Sequence, residues 1–246
     1  MALSELGSPS AATGIHEPVI EVRDLRFRYE DGTAALNGVN FRLMPGECVA
    51  LLGANGSGKT TFVLHLNGLL RGEGSVRVCG LTVEDTNLAA IRQKVGMVFQ
   101  DADEQLFMPT VLDDVAFGLL NQGLQTEAAV RAARQALDRV GMAHAAARAP
   151  YHLSAGEKRR VALAGVLAMN PEVLVLDEPT TFLDPPGERE LARLIGELPQ
   201  AKLIVTHDVA FARALASRAV FFEQGRVAAD GPAAEVIARF HWSPEL

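Results

Sequence analysis

The stretch that leaves this chain least freedom is Gly53-Ala54-Asn55-Gly56-Ser57-Gly58-Lys59-Thr60-Thr61, which fits the pattern G-x-x-x-x-G-K-[ST]. Just before it, the apolar run Cys48–Leu52 predicts a short buried strand. Just after it, Thr61–Leu70 carries apolar residues at helical spacing and is expected to stop at Gly72. Strand, glycine loop and helix together make a phosphate cradle. Gly53, Gly56 and Gly58 let the backbone curl so that successive N–H groups point inward at an anion, and the helix N-terminus adds its positive end there. Lys59 is spaced to reach the β- and γ-phosphates of a nucleotide, and the Thr60 hydroxyl to ligate Mg²⁺. The candidate nucleotide-binding set is therefore Gly53, Asn55, Gly56, Ser57, Gly58, Lys59, Thr60 and Thr61.

Composition narrows the remaining classes. A net charge of −7 over 246 residues speaks against a broad nucleic-acid surface, so no nucleic-acid partner is expected. No apolar run reaches the roughly 18 residues needed to span a membrane. Residues 1–17 are rich in Ser, Ala and Gly, without a basic start or an apolar core of the secretory kind, and read as a flexible tail. Cys48 and Cys79 fall in predicted strands and form no C-x-x-C, which suits structural thiols in a reducing compartment.

Taken in order, Val19–Arg23 and Leu25–Tyr29 alternate as short antiparallel strands, with Phe41–Leu43 a further strand piece. Ser75–Cys79 and Val95–Phe99 read as strands around a short helix, Leu88–Lys94. Beyond Gln100 the texture turns helical. Val111–Leu120 is amphipathic, Thr126–Val140 has helical period with Thr126 as N-cap and Gly141 as stop, and another helix begins near Ser154. Strands return at Val173–Leu176, Lys202–Val205, Ala219–Phe222 and Val227–Asp230, alternating with helices Gly187–Glu197, Ala210–Ala216 and Ala233–Arg239. The expected fold is α/β: a P-loop nucleotide-binding domain with a mixed sheet core, an antiparallel N-terminal part and an inserted helical subdomain. Its expected limits are 18–246, with the core at 18–100 and 161–246 and the insertion at about 101–160.

Val173–Leu176 runs into Asp177-Glu178-Pro179. A short apolar strand buried on both faces delivers these two carboxylates to the sheet edge where ligands bind in such folds. Neighbouring strand residues point to opposite faces, so the acids are expected to divide the labour. Asp177 suits the Mg²⁺ shell, and Glu178 suits a base that takes a proton from an attacking water.

Residues 153–160 read Leu-Ser-Ala-Gly-Glu-Lys-Arg-Arg. With the P-loop, Leu176-Asp177-Glu178-Pro179, Leu183-Asp184-Pro185 and Val205-Thr206-His207-Asp208, this ordered set resembles the ATPases of ATP-binding cassette transporters. The likeness covers nearly the whole chain from about Val19. It departs from the usual Leu-Ser-Gly-Gly-Gln signature at Ala155 and Glu157, where Ser154 and Glu157 instead take the S-x-x-E spacing of a helix capping box. The resemblance implies that Tyr29 stacks on adenine, and that Gln100 contacts Mg²⁺ or water and senses the membrane partner. It implies that Ser154 and Gly156 complete the ATP site of the opposite subunit, that Asp184 lies at the dimer interface, and that the His207 side chain touches the γ-phosphate. Glu178, His207 and Gln100 are thus the catalytic candidates, and Thr60, Gln100 and Asp177 the metal candidates.

A finer resemblance lies in Val98–Phe107 and Thr110–Gly118, which look like the ATPases of energy-coupling-factor importers, most of all the cobalt/nickel branch. The implied protein hydrolyses ATP at the cytoplasmic face of a membrane. Its implied partners are a second ATPase subunit, either another copy or a paralogue, a transmembrane energy-coupling subunit and a substrate-binding membrane component. Vitamin importers share much of the pattern and are the alternative, ahead of non-transport relatives. Leu106 and Phe107, apolar in an acidic loop, suit either a groove for the membrane partner or packing within the helical insertion. The histidines are scattered and form no Cys/His cluster, so the cargo is expected to be read by other subunits.

Overall fold

In the computed structural model, which describes residues 17–242, the apolar segments sort into two sheets. The expected tail, apart from Glu17, lies outside the described residues. The two N-terminal segments form one strand, β1 (Ile20–Arg28), rather than two. Ile20 and Val22 face inward, then the inward position skips to Leu25, because Asp24 takes a left-handed φ of 47° and the pairing register shifts there. One extra residue in a strand produces this kink, and it reads in the sequence as a broken alternation. β1 is flanked by antiparallel β2 (Ala34–Leu43) and β4 (Glu73–Val78), and a short β5 (Leu81–Thr82) completes the first sheet. Cys79 falls just past β4 with a φ of 47°, not inside the strand.

The second sheet has the order β10-β9-β3-β8-β7-β6. Its parallel part comprises β3 (Cys48–Leu52), β6 (Val95–Val98), β7 (Val173–Asp177), β8 (Ala201–Val205) and β9 (Arg218–Glu223), and β10 (Arg226–Pro232) adds an antiparallel edge. Every residue of β6, β7 and β8 is buried, which is why these strands read as mostly apolar runs rather than alternating ones, broken only by Lys202 inside β8 and by Asp177 at the end of β7. One core lies between the two sheets, where Phe62 packs its ring 5.4 Å from that of Phe41 and 5.3 Å from that of Phe222. Burial of one such side chain contributes about 1.5–3 kcal/mol.

A second core joins the other face of the parallel sheet to α3 (Val111–Asn121), α4 (Thr126–Arg139) and α5 (Ala155–Ala168). These three helices pack on one another, and α5 runs unbroken from the insertion down onto the sheet. α4 is capped at Gln125, not Thr126, because the carbonyl of Gln125 already accepts from the N–H groups of Ala128 and Ala129. Helix α2 (Leu88–Lys94) leads into β6 as expected, but the glycine-loop helix α1 (Lys59–Leu66) ends well short of Gly72. Gly68 adopts φ 69°, and the N–H groups of Leu69 and Leu70 fold back to the carbonyl of Leu64, closing the helix there.

Candidate active site

The pairing register sets Leu51, Asp177 and Val205 at one level across three neighbouring strands. The loops that follow β3, β6, β7 and β8 therefore emerge together at one edge of the sheet, where such folds bind ligands. A cleft of about 510 Å³ opens there, lined by Tyr29, Asn55, Gly56, Gly58, Lys59, Thr60, Thr61, Gln100, Glu178 and His207 among others.

Its floor is the glycine loop. A Cβ on Gly53 would lie 2.2 Å from the carbonyl oxygen of Phe222, and φ there is 135°, so only glycine fits. At Gly56 the direction of a Cβ is open, in keeping with backbone that faces the cleft. The Lys59 ammonium donates to the carbonyls of Gly53, at 2.7 Å, and Ala54, at 3.0 Å. Burial lowers its pKa, opposed by the charges of Glu178 and Asp177. Tyr29, 41% exposed, is fixed at its far end by a 2.9 Å hydrogen bond between its hydroxyl and Thr61 Oγ1. Its ring meets Phe27 edge-on at 5.0 Å.

The two acids separate for a reason the strand alternation does not supply. Asp177 ends β7 and is buried. Glu178 leaves the extended conformation altogether, with φ 45°, and its N–H donates to the carbonyl of Val205 at 2.8 Å. The Thr60 hydroxyl donates to Asp177 Oδ2 at 3.1 Å, while Oδ1 is buried with no partner. Burial raises the pKa of Asp177, against the Thr60 hydrogen bond. An unpartnered carboxylate oxygen beside a hydroxyl is a donor set that fits a hard, oxygen-preferring cation such as Mg²⁺, and Gln100 borders the same cleft. Glu178 Oε2 accepts from His207 Nδ1 at 2.8 Å and from the His207 backbone N–H at 3.3 Å.

Ser154, Gly156 and Asp184 are not in this cleft. They line a separate one of about 470 Å³, together with Glu157, Phe182 and Leu183. The capping box forms: Ser154 Oγ accepts from the Glu157 N–H at 3.3 Å, and the Ser154 N–H donates to Glu157 Oε2 at 2.8 Å. Arg148 donates to the other Glu157 oxygen at 3.3 Å.

Arg159 is a residue to which the sequence reading gave no role. It is 4% exposed and donates to the carbonyls of Phe99 and Gln100, at 2.6 and 2.7 Å. Helix α5 thereby grips the loop that carries Gln100, and Lys158 adds an ion pair to Asp103 at 2.5 Å. In sequence, Arg159 is one of three consecutive cations, and nothing there shows which of them turns inward. Leu106 and Phe107 divide between the two expected fates. Leu106 packs against the helical core, whereas Phe107 is 63% exposed, with its ring 5.1 Å from that of Phe117.

A glycine loop, a buried lysine and paired acids meeting at the carboxyl edge of parallel strands define a P-loop nucleoside triphosphatase. Residues 36–181 match the family model described as ABC transporter, and the chain belongs to that family as an ATP-binding, ATP-hydrolysing subunit. A Geobacter sulfurreducens protein provisionally named an ABC transporter ATP-binding protein is 52% identical over 89% of this chain and 88% of the relative. The energy-coupling factor transporter ATP-binding protein EcfA of Methanocaldococcus jannaschii is 44% identical over 89% of this chain and 81% of its own. Among solved structures, cbiO1 of Clostridium perfringens, part of the ABC transporter complex cbiONQ, superimposes with a TM-score of 0.82 at 37% identity, over 91% of this chain and 92% of that one. The ATP-binding cassette MJ0796, solved as a dimer bound to ADP and phosphate, gives a TM-score of 0.79 at 28% identity, over 87% of this chain and 98% of that one.

Proposed function

We propose that this chain is the ATPase of an energy-coupling-factor importer that takes up cobalt or nickel ions. In this reading it sits peripherally on the cytoplasmic face of the membrane and dimerises around two ATP molecules. Lys59 neutralises charge on the β- and γ-phosphates, and Tyr29 stacks on adenine. Glu178 orients the attacking water and takes its proton. His207 holds Glu178 through Nδ1 and touches the γ-phosphate from the same cleft. Thr60 and Asp177, with Gln100 at the margin, would hold Mg²⁺, which would supply positive charge against the phosphate oxygens. Ser154 and Gly156 close over the nucleotide of the opposite subunit. The insertion at about 101–160 passes the motion to the membrane partners, and Arg159 ties its helix α5 to the Gln100 loop.

The observation that carries this reading is the division of the site: Lys59, Glu178 and His207 share one cleft, while Ser154 and Gly156 share another. A single chain holds two halves of a site that a second chain can join. The cobalt/nickel cargo rests on the resemblance of Val98–Phe107 and Thr110–Gly118 to that branch, while the likeness to cbiO1, part of the complex cbiONQ, supports only the ATPase of a multi-subunit transporter. The test is uptake of radioactive Co²⁺ or Ni²⁺ into vesicles carrying this chain with its membrane subunits, compared with the Glu178→Gln variant. ATP- and Glu178-dependent metal uptake is expected. Uptake of a vitamin and not of either metal would replace the cargo while leaving the ATPase in place.

A further inference from the structure

Phe182 lies in the short loop between β7 and α6 (Pro185–Gly196). It is 83% exposed and has a φ of 65°. A large apolar side chain is thus held in water on a backbone that favours glycine. The loop is not loose. The Thr181 N–H donates to the carbonyl of Glu178, the Leu183 N–H donates to that of Thr180, and Asp184 caps α6 by accepting from the Gly187 N–H at 2.9 Å. Strain and exposure kept together by a fixed turn point to a use for the ring outside the isolated chain.

Two features say where. Phe182 borders both the cleft of Ser154 and Gly156 and a second cleft of about 790 Å³ that runs past His207 and Val209 to Trp242. It therefore stands at the rim of the Ser154–Gly156 half-site, and the recess on its other side reaches His207 of the nucleotide cleft. A protruding aromatic beside a recess on the same face is also self-complementary. Under a two-fold axis, each knob meets the other subunit's recess. Aromatic side chains are the residues that most often anchor such contacts.

We propose that Phe182 seats in the recess beside Trp242 of a second copy of this chain and anchors the ATP-bound dimer. This rests on the proposed dimeric mode of action, and the similar cassette MJ0796 was solved as a dimer.

The decisive variant is Phe182→Gly, because it relieves the strain while removing the ring. In the nucleotide-free protein it is expected to raise the unfolding temperature by about 2–4 °C. In the Glu178→Gln background with ATP, it is expected to weaken dimerisation at least about tenfold by sedimentation equilibrium. Phe182→Leu, which keeps apolar bulk, should stay within about threefold of the parent. Trp242 is the chain's single tryptophan, so its emission reports the recess directly. A blue shift on ATP-driven dimerisation, lost in Phe182→Gly, is expected. Dimer affinity within about twofold of the parent in Phe182→Gly would overturn the proposal and leave the dimer intact. An unchanged Trp242 spectrum on dimerisation would overturn the recess as the seat. If the Glu178→Gln chain with Phe182 intact binds ATP yet remains a monomer, the dimeric reading itself falls, and the anchor with it.

Discussion

Glu178 reaches the cleft from a left-handed backbone conformation that residues with a Cβ rarely adopt, at a cost of about 1–2 kcal/mol. The turn at this residue breaks the strand alternation, lets its N–H bond to Val205, and brings its carboxylate to His207. The proton-acceptor role proposed for it has a sharp consequence. Glu178→Gln keeps the size and one acceptor oxygen but cannot take a proton. We expect the rate of phosphate release to fall at least about a hundredfold while ATP affinity stays within about threefold. Near-normal turnover of this variant would remove Glu178 as the base.

Helix α5 is where several local signals act together. Its capping box fixes the end that carries Ser154 and Gly156, and Arg159 fixes its first turns to the Gln100 loop. The Ser154 N–H, with help from Arg148, holds the Glu157 carboxyl below its ordinary value of 4.5. A lowered folded-state pKa means that the charge contributes stability above the unfolded value, and that this is lost as pH falls through the folded one. The stability difference between wild type and Glu157→Gln should thus be flat near neutrality and shrink below about pH 4.5. Denaturant titrations at several pH values measure it; a gap that persists unchanged into strong acid would refute the capping role. Gln can keep the geometry of the cap, so we expect ATPase rates of the two proteins to agree within about tenfold, or ~1.4 kcal/mol of barrier. In the loop ahead of α3, the exposed Phe107 beside Phe117 calls for a different experiment. Phe107→Asp should leave basal ATPase activity unchanged, since the ring lies outside the nucleotide cleft, and should abolish ATP-driven uptake in the assembled importer. Full uptake by this variant would remove Phe107 from the membrane-partner contact.

Across the whole molecule, the nucleotide cleft is assembled from Tyr29, the glycine loop, Gln100, Glu178 and His207, which span most of the chain. Ligand binding should therefore stabilise the fold as a unit. ATP at a hundred times its dissociation constant adds about 2.7 kcal/mol. We expect a clear rise in unfolding temperature on adding ATP to wild type. In Lys59→Ala, which lacks the cation at the phosphates, most of that rise should be lost at the same ATP concentration. Equal thermal shifts in the two proteins would contradict the placement of the phosphates at Lys59.

By itself, the sequence determined the glycine loop, the apolar strands of the parallel sheet, the helices Val111–Asn121, Thr126–Arg139 and Ala155–Ala168 to within a residue or two, and the Ser154–Glu157 cap. Each of these depends on residues close together in the chain, where steric freedom, periodicity and hydrogen-bond reach are readable one residue at a time. The family resemblance went further and gave candidate residues from Tyr29 to His207 their expected roles. Tertiary structure alone decided how Asp177 and Glu178 part company, because the φ of Glu178 answers to its bond with Val205 on the neighbouring strand. It alone chose Arg159 from among three adjacent cations, since only packing of α5 against the Gln100 loop buries one of them on backbone carbonyls. It also separated Leu106 from Phe107, and set Phe182 out in solvent between two clefts. Burial is a property of what the rest of the chain brings alongside, and two neighbouring residues of similar chemistry carry no mark of which one will be covered.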